Sequence, residues 1–257
     1  MATSTSSAPP VRGRFDWLWR GGPSFVAPDG SRLSLSGTAL DVSRPWSCGF
    51  FALVRGSRRS FSVAETGAFD WHSTYTTIPD EILRQPYRGG ELLVGSRYQA
   101  ASDEPTRYRA AWRGQWFELH TRSSGPPPSG AEIVRIFDAF RLTDTPLGML
   151  VQARTARHAR LEPVQVAKDI PGFGHLTIER PESSQIEIPE FRGFTTRHGE
   201  LWRQPLGNAA RGRSRPEALV LATPTAITRL VAGPTDSTDP STALDFLADL
   251  NVTWEPA

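Results

Sequence analysis

The sequence predicts an α+β fold that is mostly antiparallel β-sheet with few helices. Short runs of alternating or continuous apolar residues, separated by glycine and proline, recur along the chain as they do in sheet proteins. Two helical stretches, near residues 129 and 239, each follow such strands and share one spacing of apolar positions. A chain of 257 residues with 38% hydrophobic residues is long enough to bury a sizeable core without disulfides.

The first half contains a predicted antiparallel meander. The segments "RLSLSG" and "SFSVAE" alternate apolar and polar residues, which indicates half-buried strands, and "CGFFALV" is continuously apolar, which indicates a buried strand. Further on, "TRYRAAW" and "WFELHT" are joined by "RGQ", whose length and glycine favour a hairpin. A short helix is predicted in "TIPDEILRQ", with Thr77 as its cap, Pro79 in its first turn and Pro86 after its end.

Hairpins also dominate the second half. Three pairs of strand-like segments are separated by short turn sequences: "GHLTIER" and "SQIEIPEF" around "PES", "RGFTT" and "ELWRQ" around "RHG", and "EALVLAT" and "AITRLVAG" around "PT". We therefore expect a second antiparallel sheet.

The two predicted helices correspond to each other at an offset of 110 residues. Ser129 and Glu132 form a potential capping box for the first, while Asp239 is the expected N-cap of the second, with Pro240 at its first position. At helical spacing, the apolar positions are Ile133, Ile136, Phe137 and Phe140 in the first, and Ala243, Phe246, Leu247 and Leu250 in the second. The same offset carries the following strand, Leu142 onto Val252 and Pro146 onto Pro256.

The correspondence predicts two similar halves, each ending in hairpin, loop, helix and strand. Chance is the alternative, because many α+β proteins contain these elements in this order. We expect a disordered tail at 1–11, a first α+β half at 12–152, a linker at 153–163 and a second α+β half at 164–257. In element order alone, each half resembles the Mog1 and PsbP type of domain, in which a helix precedes a closing strand.

Composition limits the compartment and the partners. Of 29 basic residues, all but Lys168 are arginines, a bias typical of a high-GC bacterial genome. The single cysteine, Cys48, excludes an intramolecular disulfide and favours a reducing cytoplasm; its apolar neighbours predict a buried, inert thiol. No run approaches the ~20 apolar residues of a membrane span. The net charge of +2, with 27 acids, argues against a dedicated nucleic-acid binder.

The nearest approach to a catalytic constellation is "ETGAFDWHSTY". On a strand Asp70 and His72 share a face, and a carboxylate can orient an imidazole for general-base work, with Trp71 between them as a contact residue. The alternative is an ordinary polar rim of a sheet, which we favour because no other motif accompanies the pair.

A second candidate group lies on one strand. Trp116, Glu118 and His120 alternate, so that they share a face, where the indole of Trp116 and the ring of His120 are suited to contact a ligand. The opposite set, Phe117 and Leu119, competes for the core, and the sequence leaves open which face meets solvent.

Two arginine clusters are suited to bind anions. The first contains Arg154, Arg157 and Arg160, and the second contains Arg211, Arg213 and Arg215. Solvated loops are the alternative interpretation. The five histidines lie on separate segments without zinc-ligand spacing, so no metal site is predicted, and no cofactor motif is present.

These features favour a non-catalytic binding, adaptor or assembly protein with another protein as partner. The alternative is a small-molecule enzyme that uses Asp70 and His72 in a pocket between sheet and helix. The sequence leaves the choice between enzyme and binding protein open, together with the oligomeric state.

Overall fold

The computed structural model describes residues 24–37, 46–70, 81–97, 107–124, 128–155, 159–162, 164–170, 172–206, 217–232 and 240–257. They group into two compact units. Unit 1 contains the described residues from Gly49 to Glu162, and unit 2 contains those up to Cys48 and from 164 onward. The predicted tail at 1–11 lies outside the described residues. The expected boundaries of the two halves stay a prediction, and the expected linker contains a short strand, Ala159–Leu161.

Unit 1 is built on an antiparallel sheet. Its strands are β3 (Ser47–Val54, of which the first two residues group with unit 2), β4 (Ser57–Glu65), β5 (Glu81–Tyr87), β6 (Gly90–Arg97), β7 (Arg107–Arg113) and β8 (Phe117–Ser124). The order across the sheet is β3-β4-β8-β7-β6-β5. The helix α1 (Gly130–Asp138) follows, then the hairpin β9 (Phe140–Thr145) and β10 (Gly148–Ala153), and β11 (Ala159–Leu161), which pairs with β3.

Local chemistry explains several of these elements. The β3–β4 turn has positive φ at Arg55 and Gly56, as a two-residue type I′ turn requires. The capping box predicted for α1 is confirmed, because the Ser129 hydroxyl accepts from the Glu132 amide and the Glu132 carboxylate accepts from the Ser129 amide. The apolar face of α1 is buried, with Phe137 only 1% exposed. Beneath it, Phe61 packs edge-on against Phe140 with ring centroids 5.2 Å apart.

Unit 2 repeats these kinds of element. Its strands are β1 (Ser24–Val26), β2 (Arg32–Ser36), β12 (Gln165–Ile170), β13 (Gly174–Glu179), β14 (Phe194–Thr195), β15 (Glu200–Pro205), β16 (Glu217–Ala222), β17 (Ile227–Val231) and β18 (Asn251–Glu255). The larger sheet has the order β12-β13-β17-β16-β15-β14, and the smaller has the order β1-β2-β18. The helix α2 (Pro240–Asp249) packs against β16. A 3₁₀ turn spans Pro181–Ser183.

The larger sheets of the two units share one strand order. Each strand from β3 to β8 has a counterpart nine places later, from β12 to β17, and the neighbours across the sheet correspond throughout. The helices begin at Gly130 and Pro240, which reproduces the offset seen in the sequence, while Asp239 lies outside the described residues. Duplication predicts a common strand order. Duplication itself stays a prediction, because a shared order of elements does not establish shared ancestry.

Two predicted elements are wrong. Residues 81–87 form strand β5, where a helix from Thr77 was expected, and Pro86 lies within that strand. β5 ends the sheet order, and at such a position the missing N–H of a proline does not interrupt a ladder. The "SQIEIPEF" segment forms no strand; it continues from the 3₁₀ turn and is held by side chains of the sheet. Among the described residues, no helix has the length and hydrophobicity needed to cross a bilayer.

Candidate functional site

One face of the unit 1 sheet carries an unusual number of charges. The register of the β7–β8 hairpin places Arg109 opposite Arg122, Ala111 opposite His120, and Arg113 opposite Glu118. Neighbouring strands add two residues to the same face, Glu91 opposite Arg113 and Arg84 one strand further. We call this set the charged face: Arg84, Glu91, Arg109, Arg113, Glu118, His120 and Arg122. The opposite face of β8, with Phe117 and Leu119, is also buried.

Glu118 is the anchor of the charged face. Its side chain is fully buried, and it accepts hydrogen bonds from the backbone amides of Gly67 and Phe69, both at 2.8 Å, and from Nε of Arg113. Nε2 of His120 lies 3.2 Å from its second oxygen. A carboxylate that is engaged on both oxygens fixes the loop after β4, where the residues from Ala68 onward begin a helical turn.

The pKa of Glu118 follows from these contacts. Burial on its own raises the pKa, but the hydrogen bond and charge of His120 and the amides of Gly67 and Phe69 outweigh burial and lower it to about 2. The carboxylate is therefore ionised at neutral pH and is unsuited to donate a proton in catalysis. We interpret Glu118 as a structural anchor.

Asp70, the predicted catalytic carboxylate, belongs to the same network. Its two oxygens accept from Nη2 of Arg84 at 2.7 Å and from Nη2 of Arg113 at 2.8 Å. The two guanidinium groups engage both oxygens and occupy the positions from which a general base would accept a proton. Trp71 and His72 lie outside the described residues, so the predicted pair of Asp70 and His72 stays a prediction.

His120 and Trp116 occupy different settings. His120 is buried and stacks on Phe69, with ring centroids 6.3 Å apart. Trp116 is half-buried in the β7–β8 turn, and its amide donates to the Asp144 carboxylate at 2.8 Å. The structure thus links Asp70 with His120 through Arg113 and Glu118, while Trp116 lies at the end of the hairpin. Once the hairpin is assumed, its register pairs Arg113 with Glu118, and this signal was available in the sequence.

Arg109 and Arg122 are like charges on directly opposite positions. Within the described part of the chain neither forms an ion pair, and burial together with the charge of Arg122 lowers the pKa of Arg109. Arg122→Glu is expected to raise the free energy of unfolding by about 0.5 to 1 kcal/mol, because opposite charges would then face each other. Urea unfolding at low and high salt measures this, with Arg122→Gln as the uncharged control. A loss of stability in Arg122→Glu would contradict the expectation.

Of the predicted arginine clusters, Arg154 and Arg160 are described. Arg160 is exposed on β11, whereas Arg154 follows β10 and lines a cleft with Arg141. Arg157, Arg211, Arg213 and Arg215 lie outside the described residues. Cys48 is buried as predicted, and burial followed by the charge of Asp29 raises the pKa of its thiol. Within the described ranges, histidine, cysteine and acidic side chains do not gather in a group of three suited to a metal ion.

Unit 2 carries an exposed apolar surface that the sequence analysis missed. Residues 181–193, the covering segment, cross one face of the sheet. Ile186 packs there in a buried cluster with Trp202, Val220 and Ile227. Ile188 and Phe191 in this segment, and Phe194 just after it on β14, are exposed to solvent; Phe191 is 67% exposed and Phe194 is 69% exposed. We call these three residues the exposed apolar surface.

Side chains of β15 hold the covering segment in place. Nε1 of Trp202 donates to the carbonyl oxygen of Phe191 at 2.8 Å, and Nε2 of Gln204 donates to that of Glu187 at 2.6 Å. Gly193 lies so close to the indole that a Cβ there would be 2.6 Å from the Trp202 ring. Phe191 is therefore exposed on a segment that is anchored on both sides of it. Phe194 begins β14, which stands at the end of the strand order across the sheet.

Comparisons of the chain with protein-family models, with curated proteins and with solved structures found no match. The features of the described residues that bear on function are the charged face, the exposed apolar surface and the cleft beside Arg154.

Proposed function

We propose that the protein is a non-catalytic binding or adaptor protein that holds another protein through the exposed apolar surface. The observation that carries this proposal is the exposure of two phenylalanines, Phe191 on the anchored segment and Phe194 on β14, each about two-thirds exposed. Large apolar side chains that stay exposed are typical of interaction sites, and aromatic residues contribute most to binding energy there. The arginine-rich composition and the single thiol support a bacterial cytoplasm as the setting.

The position of the surface restricts the chemistry of the partner. β14 ends the order of the described strands, so an extended segment can add to the edge that these strands leave open while placing side chains beside Phe194. The covering segment carries Glu182, Glu187 and Glu190 against one arginine, Arg192. Charge complementarity therefore favours a partner segment that combines apolar side chains with lysine or arginine.

The enzyme alternative receives less support from the geometry. Asp70 is engaged by two arginines, and Glu118 is ionised and engaged on both oxygens. These contacts favour a structural role for the acidic residues that the enzyme hypothesis would use.

The double variant Phe191→Ser with Phe194→Ser tests the proposal. A display library of extended peptides is selected on the wild-type protein, and we expect the enriched peptides to combine apolar and basic residues. The dissociation constant for the best peptide should rise at least tenfold in the double variant, since removal of an aromatic hot spot costs about 2 kcal/mol or more. Leu83→Ser is the matched control, because Leu83 is an exposed apolar residue on β5, the end strand of the unit 1 sheet.

Three results would contradict the proposal. Equal loss of binding in Leu83→Ser would indicate general stickiness of exposed apolar residues. Unchanged binding in the double variant would place the contact elsewhere. A dimer in sedimentation that becomes monomeric in the double variant would show that a second copy of the chain covers this surface.

A further inference from the structure

A cleft on the β9–β10 hairpin of unit 1 is lined by hydrogen-bond donors. Its volume is about 340 Å³, and its lining includes Arg141, Gln152, Ala153 and Arg154. Ligand pockets for small molecules begin at roughly 300 Å³, so the cleft has room for a compact metabolite. It is separate from the exposed apolar surface, and the argument for it does not rest on the proposed function.

The strand register explains why three donor side chains converge. Arg141 of β9 lies directly opposite Gln152 of β10, and these two side chains therefore share a face of the hairpin. Arg154 is two residues after Gln152, and side chains two apart along an extended chain lie on the same face. Its amide continues the ladder by donating to the carbonyl oxygen of Ala139 at 2.9 Å.

The guanidinium of Arg154 is held by a hydrogen bond to the main chain of Phe140. Nε donates to the carbonyl oxygen of Phe140 at 3.2 Å, which orients the group. The two terminal nitrogens have no hydrogen-bond partner among the described residues. An oriented guanidinium forms two parallel hydrogen bonds to a carboxylate or phosphate with less loss of side-chain freedom than a mobile one.

Neighbouring carboxylates are already engaged elsewhere. Asp138, at the end of α1, accepts from the Tyr87 hydroxyl and pairs with Arg88. Asp144, on β9, accepts from the backbone amides of Trp116 and Phe117. Within the described part of the chain, neither Arg141 nor Arg154 has a carboxylate within 4.0 Å. Two positive charges in the cleft are thus left without a counterion from the described residues.

We propose that this cleft binds a small anionic molecule through a phosphate or carboxylate group. Arg141 and Arg154 contact the oxyanion, and the Gln152 amide donates a third hydrogen bond. Two of the three polar side chains are guanidinium groups, which only donate hydrogen bonds, so the cleft favours an acceptor-rich group. Phosphate and carboxylate groups share this chemistry, and the experiment distinguishes them.

The test uses the whole protein and two probes, inorganic phosphate and succinate, at constant ionic strength. The ¹⁵N–¹H resonance of Arg154 Nε, assigned by its loss in Arg154→Gln, should shift during titration with one probe, and calorimetry should give the affinity for it. Arg141→Gln should weaken that probe at least tenfold, the equivalent of about 1.4 kcal/mol. Arg203→Gln is the control, because Arg203 is an exposed arginine of unit 2 and the charge change is the same.

Each outcome decides the question. Selective shifts with phosphate assign a phosphate-bearing ligand, and selective shifts with succinate assign a carboxylate. Absence of a shift with both probes at concentrations up to about 10 mM, roughly tenfold above the upper end of physiological substrate levels, would overturn the proposal. Equal weakening in Arg203→Gln and Arg141→Gln would also overturn it, because binding would then follow net charge alone. Amide spectra of all variants confirm that they are folded.

Discussion

Glu118→Gln is expected to lower the free energy of unfolding by about 3 to 5 kcal/mol, because removal of one partner from a buried ionic network leaves the remaining groups uncompensated. The glutamine would keep the shape of the side chain and lose its charge. One of the two positions that now accept hydrogen bonds would become an NH₂ group, which faces the donors at Gly67, Phe69 and Arg113. The loop after β4 would lose its attachment to the sheet.

Glu91→Gln provides the matched control for this loss. Glu91 lies on the same face, but it is more exposed and approaches Arg84 and Arg113 only at 3.9 Å. Exposed ion pairs contribute about 0 to 1 kcal/mol, so this variant should unfold at nearly the wild-type urea concentration. If Glu118→Gln and Glu91→Gln lowered the free energy of unfolding by the same amount, burial and hydrogen bonding of Glu118 would not be the source of its effect.

The same network predicts how stability depends on pH. The pKa of Glu118 is about 2 in the folded protein against 4.5 for the free side chain, so the unfolded chain binds an additional proton in the interval between these values. The stabilisation is fully present above pH 4.5 and is lost as pH falls toward 2. Its full size is roughly 3 kcal/mol, from about 1.4 kcal/mol for each pH unit. Urea unfolding between pH 6 and 3 should show a steeper decline for the wild type than for Glu118→Gln, and parallel curves would contradict the assignment.

Strands in which apolar and polar residues alternate were predictable from the sequence. β2 and β4 alternate buried and more exposed residues, and the turns of their hairpins contain the glycines that positive φ requires. Helices α1 and α2 were predicted because capping residues and an apolar stripe coincide in each sequence. In these elements, local preference and tertiary packing favour the same structure.

The errors occurred where local and tertiary preferences conflict. In "TIPDEILRQ" the cap and the early acids favour a helix, yet pairing with β6 along residues 81–87 outweighs that preference. In "SQIEIPEF" the alternation is genuine, but Ile186 packs onto Trp202 through its side chain, and Phe191 is held through its carbonyl oxygen by the same indole. The periodicity of a sequence shows which side chains are apolar, but it does not show whether the backbone forms hydrogen bonds with a neighbouring strand.

The candidate site was predictable only in part, for a related reason. Asp70 and His120 were selected by residue type, whereas the groups that determine their chemistry, Arg113 and Glu118, are paired by the strand register. The exposed apolar surface was not predicted, because an exposed and a buried phenylalanine look alike in a sequence. The cleft needs the opposition of Arg141 and Gln152, which again follows from register.

Phe137→Ala and Leu247→Ala should each lower the free energy of unfolding by about 2 to 5 kcal/mol, because each removes a large side chain from a packed interior and leaves a cavity. Phe137 is 1% exposed on α1, and Leu247 is fully buried on α2, at the same relative position in its unit. Leu244→Ala is the control for the second change: it is the same substitution on the same helix at a half-buried residue, and we expect a loss clearly below that of Leu247→Ala.

Urea unfolding followed by two probes, tryptophan fluorescence and far-ultraviolet circular dichroism, measures the loss of unfolding free energy in both variants. If the two units unfold separately, Phe137→Ala shifts the transition of unit 1 and Leu247→Ala shifts that of unit 2. If they unfold together, both variants shift the single cooperative transition. A loss within about 0.5 kcal/mol for either variant would contradict the packing described for its helix, since changes of that size are typical of surface substitutions. Losses of similar size at the two positions are what equivalent helices in two duplicated halves would produce.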